Sequence, residues 1–259
     1  MKKPPIVQLI NLHKSFGSKV ISKNLDLSVI DGEFLAIIGR SGEGKSVLLK
    51  QMVGLITPDK GTVIVDGITV NDPNDPSAHT KVFESCGYVF QFAALLDSLT
   101  VFENVGITLL EQGISAREIL PKVKAKLQAV GLDPAIIHRH PSELSGGMKK
   151  RVGLARTLMR SPKILIYDEP TTWLDPISVR MIHELMRKTH DENKTTTIVI
   201  SHDPDVFNYA DRIAMLHEGR ILYIGDAKTI WQEKNPYIHQ FIRGLSTGPI
   251  TMTSEKIKT

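Results

Sequence analysis

The segment Gly39-Arg40-Ser41-Gly42-Glu43-Gly44-Lys45-Ser46 fits the pattern G-x-x-x-x-G-K-[ST]. Phosphates are multiply charged and need many donors at short range. Glycines let backbone N–H groups curl around the oxygens without Cβ clashes. A helix opening at the loop aims the positive end of its dipole at the same anion. In that chemistry Lys45 brings positive charge to the β- and γ-phosphates, and the Ser46 hydroxyl is a Mg2+ ligand. A glycine-rich turn before any helix has the same composition. Here, however, the loop follows the apolar run Phe34 to Ile38 and opens a helix, as phosphate binding requires.

A second constellation is Ile164-Leu165-Ile166-Tyr167-Asp168-Glu169-Pro170. An apolar strand runs into two acids, and an unpaired buried charge is costly. Asp168 suits Mg2+ binding, directly or through a water. Glu169 suits a general base on an attacking water, a role worth about 10²–10⁴-fold. Alone, the pair also fits a strand emerging into solvent at an acidic turn; beside a phosphate loop the catalytic reading is favoured. The third is Leu144-Ser145-Gly146-Gly147-Met148, again Ser and Gly ahead of a helix. It is either a second anion-binding helix start or an N-cap with flexible glycines.

These residues need elements to hold them. Ile6 to Ile10, Phe34 to Ile38, Thr62 to Val65, Gly87 to Phe90, Lys163 to Tyr167 and Thr195 to Ile200 read as strands. Val47 to Val53 reads as a helix stopped by Gly54. Asp175 and Pro176 start another, whose apolar face is expected from Ile177, Met181, Ile182, Leu185 and Met186. Arg212 to Leu216 and Ile221 to Ile224 flank the turn Glu218-Gly219. Alternating strand and helix predicts α/β with a largely parallel sheet. Between Ala93 and Met159 the pattern is mostly helical, with Ile119, Val123, Leu127 and Val130 on one face. That stretch reads as an inserted helical subdomain, and the polar segment after Gly244 as a mobile or interacting arm.

Composition bounds the rest. The 259 residues carry 32 basic and 28 acidic side chains, a net charge of +4, and 41% are hydrophobic. This excludes a disordered or collagen-like chain. The single cysteine, Cys86, fits a reducing compartment and a small buried apolar role. No apolar run approaches the ~20 residues of a membrane span, and a cytoplasmic chain is expected. A mild net charge gives no argument for nucleic acid, and none is expected as a partner. The one basic cluster, Lys149-Lys150-Arg151, reads as a solvated or interdomain helix face.

Together the motifs resemble the ATPase subunit of an ABC (ATP-binding cassette) transporter over residues 6 to 243. The resemblance implies a P-loop NTPase (RecA-like) core with an N-terminal antiparallel β subdomain and an inserted α-helical subdomain. The core would comprise residues 6–92 and 160–243, the helical subdomain 93–159 and the tail 244–259. It implies a homodimer sandwiching two ATP molecules, each phosphate loop facing the Ser145-Gly146-Gly147 segment of the other subunit. By the same resemblance Phe16 stacks on adenine, and Gln91 senses Mg2+ and the attacking water. Asp175 lies in a loop crossing the dimer interface, and His202 contacts the γ-phosphate. Without the resemblance, Phe16, Gln91 and His202 read as ordinary structural or surface residues. Lys45, Gln91, Glu169 and His202 are thus the expected catalytic set, and Ser46, Gln91 and Asp168 the metal set. Nucleotide contacts are expected from Phe16, the whole loop Gly39, Arg40, Ser41, Gly42, Glu43, Gly44, Lys45 and Ser46, and from Ser145, Gly146, Gly147 and Asp175.

The run Phe90-Gln91-Phe92-Ala93-Ala94-Leu95-Leu96-Asp97-Ser98-Leu99-Thr100-Val101-Phe102-Glu103-Asn104-Val105 is similar to the Mla/Mce lipid-transport group. So are Ser145 to Val152, with Met148 where Gln is commoner, and the ending around Gln240 to Gly244 and Gly248-Pro249-Ile250. This implies lipid transport through a separate permease, with an Mce-domain lipid-binding protein and a small accessory subunit. The chain would dock peripherally on the cytoplasmic side of the inner membrane. One departure is Trp173, where the family carries a small residue; it suits an interface anchor or a perturbation of communication between the two sites. Alternatives are an importer ATPase for a polar solute, a soluble ABC-type ATPase acting on DNA or ribosomes, and a module that binds ATP without turnover. The last predicts loss of the acid, the His or the Lys, and all three are present.

Overall fold

The computed structural model describes residues 4–250. Strands β1 (Pro5–Phe16) and β2 (Lys19–Ile30) form an antiparallel hairpin turning at Gly17. In β2, Leu25, Leu27 and Val29 are buried while Asp26 and Ser28 are exposed, the alternation of a half-buried strand. Strand β3 (Phe34–Ile38) is buried throughout. Phe34, Ala36 and Ile38 pack into one core cluster, while Leu35 and Ile37 pack into a second. This is why the run is apolar without a break.

Helix α1 (Lys45–Met52) follows the glycine-rich loop, and Gly54, at φ 75°, terminates it. Strands β4 (Lys60–Val65) and β5 (Ile68–Thr69) complete a four-stranded antiparallel sheet in the order β2-β1-β4-β5. Helix α2 (Ala78–Ser85) then leads into β6 (Cys86–Val89). Burial pushes the Cys86 thiol up to about 12. The helical stretch contains α3 (Val101–Glu111), α4 (Ala116–Ala129) and α5 (Gly146–Leu158). A reciprocal Thr100–Glu103 box caps α3, Ser115 caps α4 and Ser145 caps α5. Ile119, Val123 and Leu127 are fully buried, as their spacing predicts.

Strand β7 (Ile164–Asp168) returns to the core, followed by α6 (Pro176–Asn193), β8 (Thr196–Ile200), β9 (Arg212–His217), β10 (Arg220–Asp226) and α7 (Pro236–Arg243). The second sheet has the order β10-β9-β3-β8-β7-β6. It is parallel from β9 to β6, with β10 antiparallel beyond the Glu218-Gly219 turn. This α/β architecture is the one the sequence predicts, and the β1–β2–β4–β5 sheet is the expected antiparallel subdomain. Parallel strands bring their carboxyl ends to one edge, so β3, β7 and β8 deliver their following residues to one place.

Two expectations change, and two elements appear that the sequence pattern does not name. The apolar face of α6 is narrower than its spacing suggests: Ile182 and Met186 are buried, but Ile177 and Met181 are exposed. Strand β2 and helix α2 were not legible as elements in the residue pattern, because polar residues interrupt their apolar positions. The segment after Gly244 is not simply an arm: Gln240 donates to the Leu245 and Ile250 carbonyls and accepts from Ile250 N, folding residues 245–250 back onto α7. The remainder of that tail lies outside the described residues.

Candidate active site

The loop after β3 holds its shape through positions that only glycine fills easily. Gly39 has φ 151°, and a Cβ there would collide with the Leu216 carbonyl. Gly44 has φ 92°, and a Cβ there would collide with the Ile21 side chain. Inside the curl, the Lys45 ammonium donates to the Gly39 and Arg40 carbonyls at 2.7 and 2.8 Å. Burial holds this lysine below its ordinary pKa, opposed by the charges of Glu169, Glu43 and Asp168. Ser46 donates to Asp168 Oδ1 at 2.8 Å.

Asp168 is 7% exposed at the end of β7. Its second oxygen accepts from the Tyr88 hydroxyl at 2.8 Å. Tyr88, on the adjoining β6, went unrecognised in the sequence; its only signal was an aromatic with a polar tip in a buried strand beside an acidic strand end. Burial and the neighbouring Asp168 carboxylate push its hydroxyl pKa up, so it stays a donor. Hydroxyl and carboxylate oxygens are the hard donors that Mg2+ selects, and it takes one or two protein ligands beside phosphates and water. Ser46 and Asp168, touching at the mouth of the loop, fit such a metal.

Glu169 sits in the left-handed region at φ 48°, its N–H bound to the Ile200 carbonyl at 3.1 Å. Three side chains converge on its Oε2. The Thr172 hydroxyl donates at 3.1 Å, Gln91 Nε2 lies at 3.5 Å and His202 Nδ1 at 3.7 Å. Gln91 follows β6 and His202 follows β8, so the shared sheet edge brings them to the acid. Two openings flank this cluster. One, of about 350 Å³, is lined by Ser41, Gly42, Gly44, Lys45, Ser46, Gln91 and Glu169 among others. The other, of about 920 Å³, is lined by Gly39 to Ser41, Glu169, Thr171 to Leu174, His202 and Phe241 among others.

Other candidate residues are placed differently. Ser145, Gly146 and Gly147 line neither opening. The Ser145 hydroxyl caps α5 by accepting from Met148 N, and Gly146 and Gly147 lie beside Leu174 and Ser178. Asp175 accepts from Ile177 N, Ser178 N and the Ser178 hydroxyl, which keeps its carboxyl below the ordinary range. Phe16 is half exposed at the end of β1, with the Lys14 ammonium 5.3 Å from its ring. Trp173 is 85% exposed at φ 67°, on the rim of the larger opening. In the basic cluster Lys150 is no solvated charge. Its ammonium donates to the Pro170 and Thr172 carbonyls, both at 2.7 Å, and Arg151 donates to the Gly131 carbonyl. Lys150 thereby ties α5 to the loop behind Glu169.

The ABC transporter family model matches residues 22–172. The Arabidopsis thaliana protein TRIGALACTOSYLDIACYLGLYCEROL 3, chloroplastic, is 39% identical across 95% of this chain and 75% of its own length. The "Probable ribonucleotide transport ATP-binding protein mkl" of Mycobacterium leprae is 32% identical across 96% of this chain and 72% of its own. Among solved structures, the dimeric cassette MJ0796 in a post-hydrolysis state bound to ADP and Pi superposes with a TM-score of 0.77. It is 33% identical, covering 85% of this chain and 98% of that one. CbiO1 from Clostridium perfringens, part of the ABC transporter complex cbiONQ, gives 0.81 at 29% identity, covering 94% and 95%.

Proposed function

Because the chain belongs to the ABC transporter family, as an ATP-binding subunit that hydrolyses ATP, we propose that its turnover energises lipid transport through a separate membrane permease. The observation that carries the lipid reading is the 39% identity, over nearly the whole chain, to a relative named for a galactolipid. The similarity of residues 90–105 and 145–152 to the Mla/Mce group supports it. No helix among the described residues is long and apolar enough to cross a membrane, so the permease supplies the pathway. The working unit is a homodimer docked peripherally on the cytoplasmic face of the inner membrane, with an Mce-domain protein and a small accessory subunit as further partners. We divide the chain into a core of residues 6–92 and 160–243, a helical subdomain 93–159 and a tail 244–259.

Phosphoryl transfer to water spreads charge over the γ-oxygens, so the protein's task is positioning and electrostatics. In our reading the Lys45 ammonium turns from the Gly39 and Arg40 carbonyls to the β- and γ-phosphates. Ser46 and Asp168 would hold Mg2+ with Gln91 beside them, and the ion would supply positive charge to offset the negative charge on the phosphates. Glu169 accepts the proton of the attacking water, and His202 donates toward the γ-phosphate. Phe16 stacks on the adenine. Ser145, Gly146 and Gly147, which line neither opening of their own chain, serve the partner's nucleotide, and Asp175 fixes the loop at the interface.

A second reading, an importer ATPase for a polar solute, draws on a relative named for sulfate/thiosulfate import in Nitrosomonas europaea, 35% identical over 91% of this chain. Affinity purification of the complex from membranes in mild detergent separates the two. The lipid reading expects a multi-span permease together with an Mce-domain protein, and ATPase activity that responds to phospholipid after reconstitution. A permease accompanied by a periplasmic solute-binding protein would replace it with the importer reading.

A further inference from the structure

Within the phosphate loop, Glu43 turns away from both openings and toward the end of β9. Its Oε1 lies 2.9 Å from His217 Nδ1, and the two side chains are only 14% and 13% exposed. Its other oxygen, Oε2, is buried without a hydrogen-bond partner among the described residues and packs where a Gly39 side chain would stand. The His217 ring also lies against the Tyr237 ring of α7, their centroids 5.2 Å apart. The adjacent Leu216 carbonyl bears on Gly39. The last two residues of β9 therefore meet the loop at two points.

A carboxylate in an anion-binding loop needs a reason. Its charge reaches Lys45, where it favours the ammonium form. A free Glu43 would repel polyphosphate, and a mobile one would widen a loop whose N–H groups must converge on it. Bound to His217, its side chain is directed to β9 instead, and Gly42 and Gly44 on either side are fixed at φ 81° and 92°.

We propose that His217 is a positioning residue for nucleotide binding, bracing the phosphate loop through the Glu43 carboxylate. This rests on Gly39 to Ser46 being the phosphate loop. The brace acts before chemistry, so it sets nucleotide affinity and leaves the hydrolytic step alone.

The test uses the full chain, a fluorescent ATP analogue with Mg2+ for affinity, and steady-state hydrolysis for kcat and KM. His217→Phe keeps the ring packing on Tyr237 and removes the donor. It is expected to weaken nucleotide binding roughly tenfold, with KM rising alike and kcat within about twofold, a size typical of losing a charge-assisted bond. His217→Asn, which restores an N–H near the Nδ1 position, should recover most of the affinity. In a Glu43→Gln background, the same His217→Phe change should cost less than about threefold, because the charge it braces is gone. Wild-type affinity in His217→Phe, a fall in kcat with affinity unchanged, or an equal loss in both backgrounds would overturn the brace. Should His217→Phe not fold, His217→Leu, which also lacks the donor, takes its place in both backgrounds with the same expected and overturning results. Lys45→Ala is the separate control. If it binds nucleotide like wild type, the phosphate-loop reading fails, and the brace with it.

Discussion

Ser46 and Asp168, 122 residues apart in the chain, are joined by a 2.8 Å hydrogen bond that fastens the start of α1 to the end of β7. The bond aligns the loop with the acidic strand end, and Tyr88 secures it from behind through the other carboxylate oxygen. Removing that hydroxyl leaves a buried carboxylate oxygen without its donor. Tyr88→Phe is therefore expected to lose about 1.5–3 kcal/mol of folding stability, the range for a hydrogen bond to a charged group. Urea unfolding measures it; a loss below about 0.5 kcal/mol would show that Tyr88 does not secure Asp168.

Glu169 receives the Thr172 hydroxyl, with Gln91 and His202 close to the same oxygen. Glu169→Gln keeps the shape and removes the proton acceptor. Turnover is expected to fall by about 10²–10⁴-fold, while ATP binding persists. Single-turnover hydrolysis with a parallel binding titration checks both halves, and an unchanged rate would remove Glu169 from the base role.

Lys150 has its pKa lowered from 10.5 to about 8 by burial, against the opposing pull of Glu169. A folded-state value below the unfolded one means that the unfolded chain binds more protons between these two pH values. Stability from this group thus rises with pH across that window, and is lost as pH falls through about 8. Relative to Lys150→Met, the wild type should gain unfolding free energy between pH 8 and 10. Chemical denaturation at several pH values reads the slope; a difference flat or falling with pH contradicts the burial-driven shift.

Trp173 stands in a left-handed backbone conformation with most of its ring in solvent. Trp173→Gly relieves that strain at a residue with little packing to lose, so the monomer should hold its stability or gain up to about 1 kcal/mol. If the indole anchors a second copy, the same change should weaken the ATP-dependent dimer of a Glu169→Gln chain. Size-exclusion chromatography with ATP measures this, and an unaltered dimer would leave Trp173 no anchoring role.

The core strands and the phosphate loop were readable because their physics is local. Strands of a parallel sheet covered on both faces read as apolar or β-branched runs, as β3 and β8 do, and a loop that wraps an anion must be rich in glycine. What escaped depended on partners distant in sequence. Tyr88 becomes notable only once β6 lies beside β7. Lys150 is an ordinary helix lysine until the Pro170 and Thr172 carbonyls approach it. Glu43 gives no hint that a histidine 174 residues away holds it. Ile177 and Met181 misled because apolar spacing does not say which side of a helix meets the sheet.

Cys86 is the only cysteine in the sequence, buried in β6, with burial pushing its thiol up to about 12. At neutral pH it offers almost no thiolate, and at 2% exposure very little surface, to maleimides or peroxide. The natural chain thus serves as a ready background for site-specific labelling. A cysteine placed on an exposed position of α6 and another near Ser145 would take spin or fluorescent probes without first mutating the native thiol. Distances between two subunits could then be followed through the ATP cycle in an otherwise unaltered protein.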